Sequence, residues 1–521
     1  MKRIYKIEIY GLFGRIEKSS CENLILIGEC FINNVIQTPD HLKEYLCAYI
    51  NGDFEAALRK INGFFSVILH HNESIYLISD KLRTRPFFYS NKPSKVISDN
   101  FYSIFDNSDQ HVLDYLSCEE YLHTGYVTGC ETLAKNIYQV EAAQIVKIDK
   151  KGELSRKNYW YFVPERNLIK ENKKEYWYKE LDTALKQATE RLLKLANGKQ
   201  IVIPLSGGYD SRAIALYLKK SGYKNIICFT FGRNNSHEVA MSQRIAKALD
   251  LEWHNVEYTR AMWDSIKIST DFSDYIDRIS SGVSVANIQV YPAVKNLVQK
   301  GVINKDAIVV PGHTGDFVSG GHFTEYDLDR SVICDYAKKI ITKRHYNQSK
   351  DAISHELFSK ISCSDFFNKI NGCNVNNEVV IAEAWECRER QSKFISNSNR
   401  YYDFFGLSWW MPFWDNDFID VWEKVPYELR LNTVLWNDFV NEKMVDFAGV
   451  AAPIGRSDAK KNIIQKIKNA LNYFTDPNDL YALVPFYRWF LFRFKISKKS
   501  GTVFGFLSES YIRKLEERLE R

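Results

Sequence analysis

The chain has 521 residues, of which 45% are hydrophobic and 26% charged, values typical of a globular protein with two to four domains. The formal net charge is +6, from 70 Lys and Arg against 64 Asp and Glu, which is too small to indicate nucleic-acid binding. The 10 cysteines include no CxxC pair, and no apolar run reaches the ~18 residues that span a membrane. We therefore expect a cytoplasmic protein without disulfides, a zinc site or a transmembrane segment.

Short segments that alternate apolar and charged residues predict a β-rich region at the start of the chain. Strands are predicted at residues 2–16, with a turn at 11–14, and at 24–27, 64–70 and 74–79, and a helix at 39–49. A polar, charged stretch separates this region from helical periodicity further on. We expect a layered domain at residues 1–163 and a linker at 164–175.

Several segments of this first domain resemble a known family. Residues 10–14, Tyr-Gly-Leu-Phe-Gly, are similar to the Cys-Gly-Ile-x-Gly start of the glutaminase domain of asparagine synthetases. Residues 61–67 and 80–89 resemble later strands of that domain, and residues 121–137 resemble its closing part. The resemblance implies an α/β/β/α sandwich of the N-terminal-nucleophile (Ntn) type.

The nucleophile of such a glutaminase is absent. That enzyme uses an N-terminal cysteine whose own α-amino group is the base, but Tyr10 stands at this position, behind nine residues. In the family, an Asn-Gly-Glu motif lines the glutamine pocket, and at most residues 27–29, Ile-Gly-Glu, remain of this motif here. Cys21 and Cys30 are alternative thiols, although cysteines beside apolar strands are usually core residues. We therefore expect a degenerate domain that does not hydrolyse glutamine.

Strands and helices alternate in the middle of the chain. Helices are predicted at residues 176–195, 212–218, 238–249 and 291–300, and strands at 201–205, 225–231, 252–258 and 307–311. This alternation predicts a parallel sheet with helices on both faces, and ligands bind such sheets at the carboxyl ends of the strands.

The turn after the strand at 201–205 has the sequence Ser-Gly-Gly-Tyr-Asp-Ser, residues 206–211. Its glycines allow close approach to phosphate, its serines add donors, and its aspartate can bind magnesium, although ordinary turns share this composition. The six residues match the SGGxDS signature of ATP pyrophosphatases, and their flanks resemble the synthetase domain of asparagine synthetases. The resemblance implies an ATP site that includes Leu205, Ser206, Gly207, Gly208, Asp210 and Ser211, with Phe231 near the adenine.

A second motif follows the strand at 307–311. Residues 312–322, Gly-His-Thr-Gly-Asp-Phe-Val-Ser-Gly-Gly-His, resemble the family signature Gly-Glu-Gly-x-Asp-Glu-x-x-Gly-Gly-Tyr. The resemblance implies that Gly312 contacts the nucleotide and that Asp316 joins Asp210 in binding Mg²⁺. His313 replaces a glutamate, at a position where some amide-forming relatives have a catalytic tyrosine. It is either a general base for an attacking amine or a neutral residue that shapes the acceptor pocket.

The last third of the chain is predicted to be helical. The dense charges at residues 382–402 predict a solvent-exposed face, and residues 508–521 predict a solvated helix. Residues 406–415 resemble a family segment Gly-x-Glu-x-Arg-x-Pro-Phe-Leu-Asp, with Ser408 and Trp410 in place of its Glu and Arg. The acceptor side is therefore expected to differ from that of the family, although these tryptophans also suit core packing.

Two stretches near the end carry further predictions. The family places a lysine in a late loop, where it neutralises the adenylate and pyrophosphate, and the candidates here are Arg456, Lys460 and Lys461. The aromatic and basic residues 481–495 suit a membrane surface, a partner or a helix packed on its own domain.

These patterns predict an α/β protein with two domains. The first is a degenerate Ntn-type α/β/β/α sandwich, and the second, at residues 176–521, is an ATP pyrophosphatase domain of the adenine nucleotide α-hydrolase type with helical additions. The resemblance implies a ligase that uses ATP and Mg²⁺ to adenylate a small-molecule or peptide carboxylate for attack by an amine or ammonia. A peptide or lactam cyclase and a non-catalytic nucleotide-binding subunit are alternatives. A homodimer or a partner protein is left open.

Overall fold

The computed structural model describes residues 5–91, 94–107, 112–164, 169, 171–234, 236–322, 336–349, 351–371, 378–449 and 502–520. The candidate cations Arg456, Lys460 and Lys461 lie outside these ranges, and so do residues 481–495. In the described part of the chain, no helix combines the length and the apolar character needed to cross a membrane.

The first region, residues 5–163, contains two β-sheets. In the larger sheet all pairs are antiparallel, with the strand order Leu154–Asn158, Gln144–Ile148, Ser74–Ser79, Asn62–His71, Leu24–Ile32 and Ile16–Lys18, and Val35–Ile36 pairs with Leu24–Ile32. The smaller sheet has the order Lys6–Glu8, Val96–Ser98, Phe88–Ser90 and Ile137–Gln139. The helices of this region are Pro39–Tyr49, Phe54–Lys60, Phe101–Phe105 and Tyr115–Thr124.

Both faces of the larger sheet are buried, which explains its long apolar strands. Ile68 and Leu77 belong to one hydrophobic cluster with Tyr89 of the smaller sheet, so the two sheets pack face to face. Val67 lies on the opposite face and belongs to a second cluster with Leu42 of the first helix. Successive residues of a strand point to opposite faces, so neighbouring apolar residues serve two different cores.

The second region contains a five-stranded sheet in which every pair is parallel. Its strand order is Glu252–Glu257, Ile226–Gly232, Ile201–Pro204, Ile308–Val309 and Ser408–Trp409. The helices of this part are Lys174–Ala196, Tyr209–Lys220, His237–Ala248, Arg260–Lys267, Thr270–Ser280, Tyr291–Gln299 and Gly315–Val318. The predicted α/β class with a parallel sheet is confirmed.

Helices dominate the rest of the described chain. They are Tyr336–His345, His355–Ser362, Asp365–Asn371, Glu378–Glu386, the π-helix Cys387–Ile395, Arg400–Phe404, Pro412–Trp414, Asn416–Trp422, Tyr427–Arg430, Leu431–Thr433, Val434–Ala448 and Val503–Leu519. The prediction of a fully solvated final helix is wrong, because Phe506, Tyr511 and Leu515 are buried in the main core.

The prediction that the charged stretch 382–402 is solvent-exposed is also wrong. Lys393 is fully buried, where its Nζ pairs with Glu389 and donates to the carbonyl of Gly129 at 2.8 Å. Arg388 is buried as well and pairs with Glu141 of the first region at 2.5 Å. Charges can be buried when opposite charges and hydrogen bonds compensate for lost hydration, and the first region supplies these partners.

The two regions share a continuous aromatic core. The Trp410 ring lies 4.5 Å from that of Phe64 and 5.9 Å from that of Phe31, and Trp409 packs 5.7 Å from Phe64. Beside them, Arg85 pairs with Asp403 at 3.2 Å. The tryptophan at the position of the family arginine therefore packs the two regions together.

Candidate functional site

The site lies at the carboxyl ends of the adjacent parallel strands Ile201–Pro204 and Ile308–Val309. The nucleotide loop (residues 206–211) follows the first strand, and the second motif (residues 312–322) follows the other. Residues of both segments line one cavity of about 640 Å³. The structure thus brings together seven of the predicted site residues: Ser206, Gly207, Gly208, Asp210, Gly312, His313 and Asp316.

Hydrogen bonds inside the nucleotide loop fix its shape. The Ser211 hydroxyl oxygen accepts from the Ser206 amide at 3.0 Å, and the Ser206 hydroxyl oxygen accepts from the Gly208 amide at 3.1 Å. Arg212 donates to the Gly207 carbonyl at 2.9 Å. The loop opens directly into the 12-residue helix Tyr209–Lys220, whose N-terminus favours an anion.

The two motifs approach each other so closely that only glycine fits at the contact. A side chain at Gly312 would place its Cβ 2.7 Å from the Ser211 amide nitrogen, and one at Gly315 would place it 2.5 Å from the Asp210 carboxyl carbon. These glycines therefore allow Asp210 and Asp316 to share one end of the cavity.

Asp210 and Asp316 form a carboxylate pair suited to a divalent cation. Asp210 accepts from the Asp316 amide at 3.1 Å and from the Trp436 indole at 2.7 Å. Burial, and secondly the negative charge of Asp316, raise the pKa of Asp210 to about 7. Among the described residues that line the cavity, Arg390 is the only arginine or lysine. Two carboxylates in one cavity fit Mg²⁺, which binds one or two carboxylates plus substrate phosphates.

The described residues contain no cluster of three or more Asp, Glu, His or Cys residues that could hold a metal ion. A magnesium ion bound here would therefore depend on oxygens of the substrate.

His322 ends the second motif and contacts two acidic residues. Its Nε2 lies 3.3 Å from Asp316 Oδ2, and its Nδ1 hydrogen-bonds to Glu386 Oε1. Although burial lowers the pKa of His322, the charges of Glu386 and Asp316 raise its pKa overall, to about 10. Phe317, which replaces an acidic residue of the family motif, is buried and packs 5.6 Å from the imidazole ring.

His313 lies on the cavity wall with one ring nitrogen already bonded. Its Nδ1 lies 2.8 Å from Asn399 Oδ1, while Asn399 Nδ2 donates to the Ile395 carbonyl at 3.3 Å. The Asn399 oxygen is thus the acceptor, and His313 carries its proton on Nδ1, which leaves a lone pair on Nε2. Burial lowers the pKa of His313 below its ordinary value, so the neutral form prevails at pH 7.

Three predicted nucleotide residues lie outside the cavity lining. Leu205 and Ser211 are buried behind the loop, and their contacts support it. Phe231 stacks on Tyr258, with 5.0 Å between the ring centroids. A role for Phe231 at the adenine stays a prediction, as do the roles of Arg456 and Lys460, which lie outside the described residues.

Several lining residues were not predicted from the sequence. Glu238 accepts from the Gly207 amide at 2.8 Å, and Trp436 binds Asp210. Arg390 and Gln391 come from the charged stretch that we expected to face solvent. For the contacts of His322 with Asp316 and Glu386, one signal was present in the sequence: the second motif ends in histidine where the family motif ends in tyrosine.

A family model described as asparagine synthase matches residues 180–444, just over half of the chain. The chain belongs to the asparagine synthase family. Membership in this family indicates, at a coarse level, an ATP-dependent ligase that forms amide bonds. Such ligases usually use Mg²⁺ together with ATP. No curated protein sequence matches this family member.

Solved structures with similar parts share little sequence with this family member. The NH3-dependent NAD synthetase from Campylobacter jejuni is 16% identical, with a TM-score of 0.23, over 42% of this chain and 95% of that one. The NAD+ synthetase from Burkholderia pseudomallei is 12% identical, with a TM-score of 0.20, over 43% of this chain and 94% of that one. The glutamine phosphoribosylpyrophosphate amidotransferase from B. subtilis is 10% identical, with a TM-score of 0.20, over 57% of this chain and 63% of that one.

Proposed function

We propose that this protein adenylates a carboxylate with ATP, releases pyrophosphate, and transfers the acyl group to an amine or ammonia. The observation that carries the proposal is the carboxylate pair of Asp210 and Asp316 beside the nucleotide loop, in one cavity with His313. We further propose that residues 1–163 are a degenerate amidotransferase domain, joined by a linker at 164–175 to a synthetase domain at 176–521.

The nucleotide loop is proposed to bind the phosphates of ATP. The N-terminus of the helix Tyr209–Lys220 favours an anion at the loop, and Ser206, which lines the cavity, adds a hydroxyl. Asp210 and Asp316 would hold Mg²⁺, whose positive charge would offset the negative charge of the pyrophosphate. The nearby Glu238 side chain must leave the Gly207 amide before that amide can bind a phosphate oxygen.

The proposed reaction has two steps. A carboxylate oxygen of the acceptor attacks the α-phosphorus, and the bond to pyrophosphate breaks. The amine nitrogen then attacks the acyl carbon, loses a proton, and displaces AMP. We propose that His313 accepts this proton at Nε2, because its tautomer and its lowered pKa keep that nitrogen unprotonated at pH 7.

The first region is proposed not to supply ammonia from glutamine. The Tyr10 side chain is 54% exposed, and its amide donates to Asp99 at 2.8 Å, so neither an N-terminal amine nor a thiol is present there. Burial raises the pKa of the Cys30 thiol, which opposes thiolate formation, and Cys21 is an exposed surface residue.

A pyrophosphate-release assay with ATP, Mg²⁺, an amine and a set of carboxylates tests the proposal. We expect release with at least one carboxylate and a loss of about 10²-fold or more in Asp210→Ala, since a bound metal contributes several kcal/mol to such transition states. Asp250→Ala is the matched control, because that side chain is 99% exposed and pairs only with Lys219 at the surface. Absence of release with every carboxylate, together with no Mg²⁺-dependent ATP binding, would contradict the proposal.

A further inference from the structure

Gly207 of the nucleotide loop contacts two side chains of opposite charge. Its carbonyl oxygen accepts from Arg212 Nη2 at 2.9 Å, and its amide donates to Glu238 Oε1 at 2.8 Å. Gly207 and Glu238 line the cavity, whereas Arg212 does not. The loop therefore has a carboxylate on its cavity side and a guanidinium behind it.

Arg212 is a buried charge whose contacts are with neutral groups. The residue is only 1% exposed, and its Nε has no hydrogen-bond partner among the described residues. Besides Gly207, the guanidinium contacts Asn441 Oδ1 at 3.4 Å and the Tyr209 ring, whose centroid lies 4.7 Å away. Within the described part of the chain, no Asp or Glu forms an ion pair with Arg212. Arginine is rarely buried without a counter-ion, because desolvation of the charge is costly.

A phosphate group at the loop would supply the missing negative charge. Arginine stays protonated in proteins, so the charge of Arg212 persists in this buried position. Arg212 contacts Gly207 and Tyr209, and both of these residues line the cavity. A phosphate bound there would be separated from the guanidinium by the loop itself, and charges interact more strongly across protein than across water.

The helix Val434–Ala448 holds Arg212 in place. Asn441 of this helix accepts from Arg212 through Oδ1 and donates through Nδ2 to the Tyr209 hydroxyl at 3.2 Å. Trp436 of the same helix donates to Asp210 at 2.7 Å. The guanidinium is therefore fixed behind the loop before any nucleotide binds, and a charge that is already in position needs no reorganisation on binding.

Glu238 occupies an amide that a phosphate could use. Carboxylate and phosphate oxygens are both anionic acceptors, so the contact with Glu238 shows that the Gly207 amide can donate to an anion. Glu238 is exposed and lies in the first turn of the helix His237–Ala248, so its side chain can leave the loop without opening the core. An incoming phosphate must displace this carboxylate and is repelled by its negative charge.

We propose that Arg212 and Glu238 set the affinity of the nucleotide loop for polyphosphate in opposite directions. Arg212 is a positioning residue whose buried charge attracts the phosphates through the loop, and Glu238 is an internal competitor for the Gly207 amide. This inference rests on the proposed function, because it concerns ATP and pyrophosphate at the same loop. It adds a fixed positive charge to a loop that contains no lysine or arginine of its own.

Equilibrium binding of ATP and of pyrophosphate, each with Mg²⁺ and without a carboxylate substrate, tests the inference. Arg212→Met retains a long side chain but loses the charge, so the Kd of both ligands should rise about 10-fold. Arg212→Lys should recover part of this loss, because it restores the charge without the fork. Glu238→Gln removes the competing charge, so the Kd of both ligands should fall about 3-fold.

Matched controls separate these effects from changes in net charge or folding. Arg244→Met and Glu190→Gln make the same changes of charge at exposed positions outside the cavity lining, and each should change Kd by less than about 2-fold. Melting temperatures check that every variant is folded. If Arg212→Met does not fold, Arg212→Lys and the exposed Glu238→Gln still test the two roles.

The possible outcomes are distinct. Unchanged Kd values in the Arg212 variants, or a rise that Arg212→Lys does not reduce, overturn the electrostatic role of Arg212. Weaker binding by Glu238→Gln overturns the competition, since Glu238 would then support the loop. A wild type that binds neither ATP nor pyrophosphate contradicts the proposed function itself, whereas failure of the inference alone leaves wild-type binding intact.

Discussion

The turn at residues 10–14 and the nucleotide loop both contain glycines and follow a strand, but the aspartate that contacts the turn and the aspartate within the loop have different surroundings. In the first region, Asp99 accepts from the amides of Tyr10 and Leu12 at 2.8 and 3.0 Å. In the second region, Asp210 faces the carboxylate of Asp316 in the cavity. Burial raises the pKa of both groups, but only Asp99 has its charge met mainly by backbone amides.

This comparison separates a structural carboxylate from one that can bind a ligand. The hydrogen bonds of Asp99 hold the turn at residues 10–14 within the first region. Asp210 and Asp316 instead repel each other, and a cation at their side of the cavity would relieve that repulsion. The Asp99 carboxylate thus stabilises a turn, whereas Asp210 and Asp316 are arranged so that they could bind a cation.

The largest expected effect concerns the link between the regions. Arg85 is 4% exposed, pairs with Asp403 at 3.2 Å and stacks 4.7 Å above the Trp409 ring. Arg85→Met removes the salt bridge of the buried Asp403 carboxylate and leaves it the hydrogen bond from the Trp409 indole, so we expect a loss of about 3 kcal/mol in the free energy of unfolding. Urea denaturation measures the loss.

Arg15→Met is the matched control, since Arg15 is 77% exposed and pairs with Glu17 at the surface. This substitution should leave the midpoint of urea denaturation unchanged. Equal stabilities of Arg85→Met and the wild type would mean that the Arg85–Asp403 ion pair does not stabilise the contact between the two regions.

A smaller effect is expected at His313. With the neutral imidazole as base, His313→Gln should lower kcat about 10²-fold. Burial lowers the pKa of His313, so the ratio of wild-type to variant kcat should be constant above about pH 6.5 and fall below it, as the imidazole becomes protonated. Asp316 and the Asn399 hydrogen bond oppose this shift in pKa. The measurement is kcat against pH at saturating substrates.

His254→Gln is the control for His313, because His254 lies at the surface beside Glu252. It should retain the wild-type profile. If His313→Gln keeps more than half of the wild-type kcat, His313 shapes the acceptor pocket rather than accepting a proton.

The smallest effect is expected at Tyr10. Because its exposed side chain has no nucleophilic thiol, Tyr10→Ala should change pyrophosphate release by less than about 2-fold. Glutamate formation from glutamine should stay at background in both proteins. Stoichiometric glutamate formation by the wild type would show that the first region still has amidotransferase chemistry and would remove the contrast between the two regions.

The sequence by itself determined the elements whose signals are local. The alternating strands, the helix Pro39–Tyr49 and the parallel βα units follow from the spacing of neighbouring residues. The meeting of the nucleotide loop and the second motif was also predictable, because parallel strands end at the same edge of a sheet.

Only the tertiary structure decided which distant side chains complete the site. Glu386, Arg390 and Trp436 follow Asp210 by long stretches of chain, and no local pattern links them. The charged stretch 382–402 has the composition of a solvent-exposed helix, yet Arg388 is buried because Glu141 of the first region pairs with it. Periodicity records which residues are polar, but whether a charge is buried depends on partners that folding brings from elsewhere in the chain.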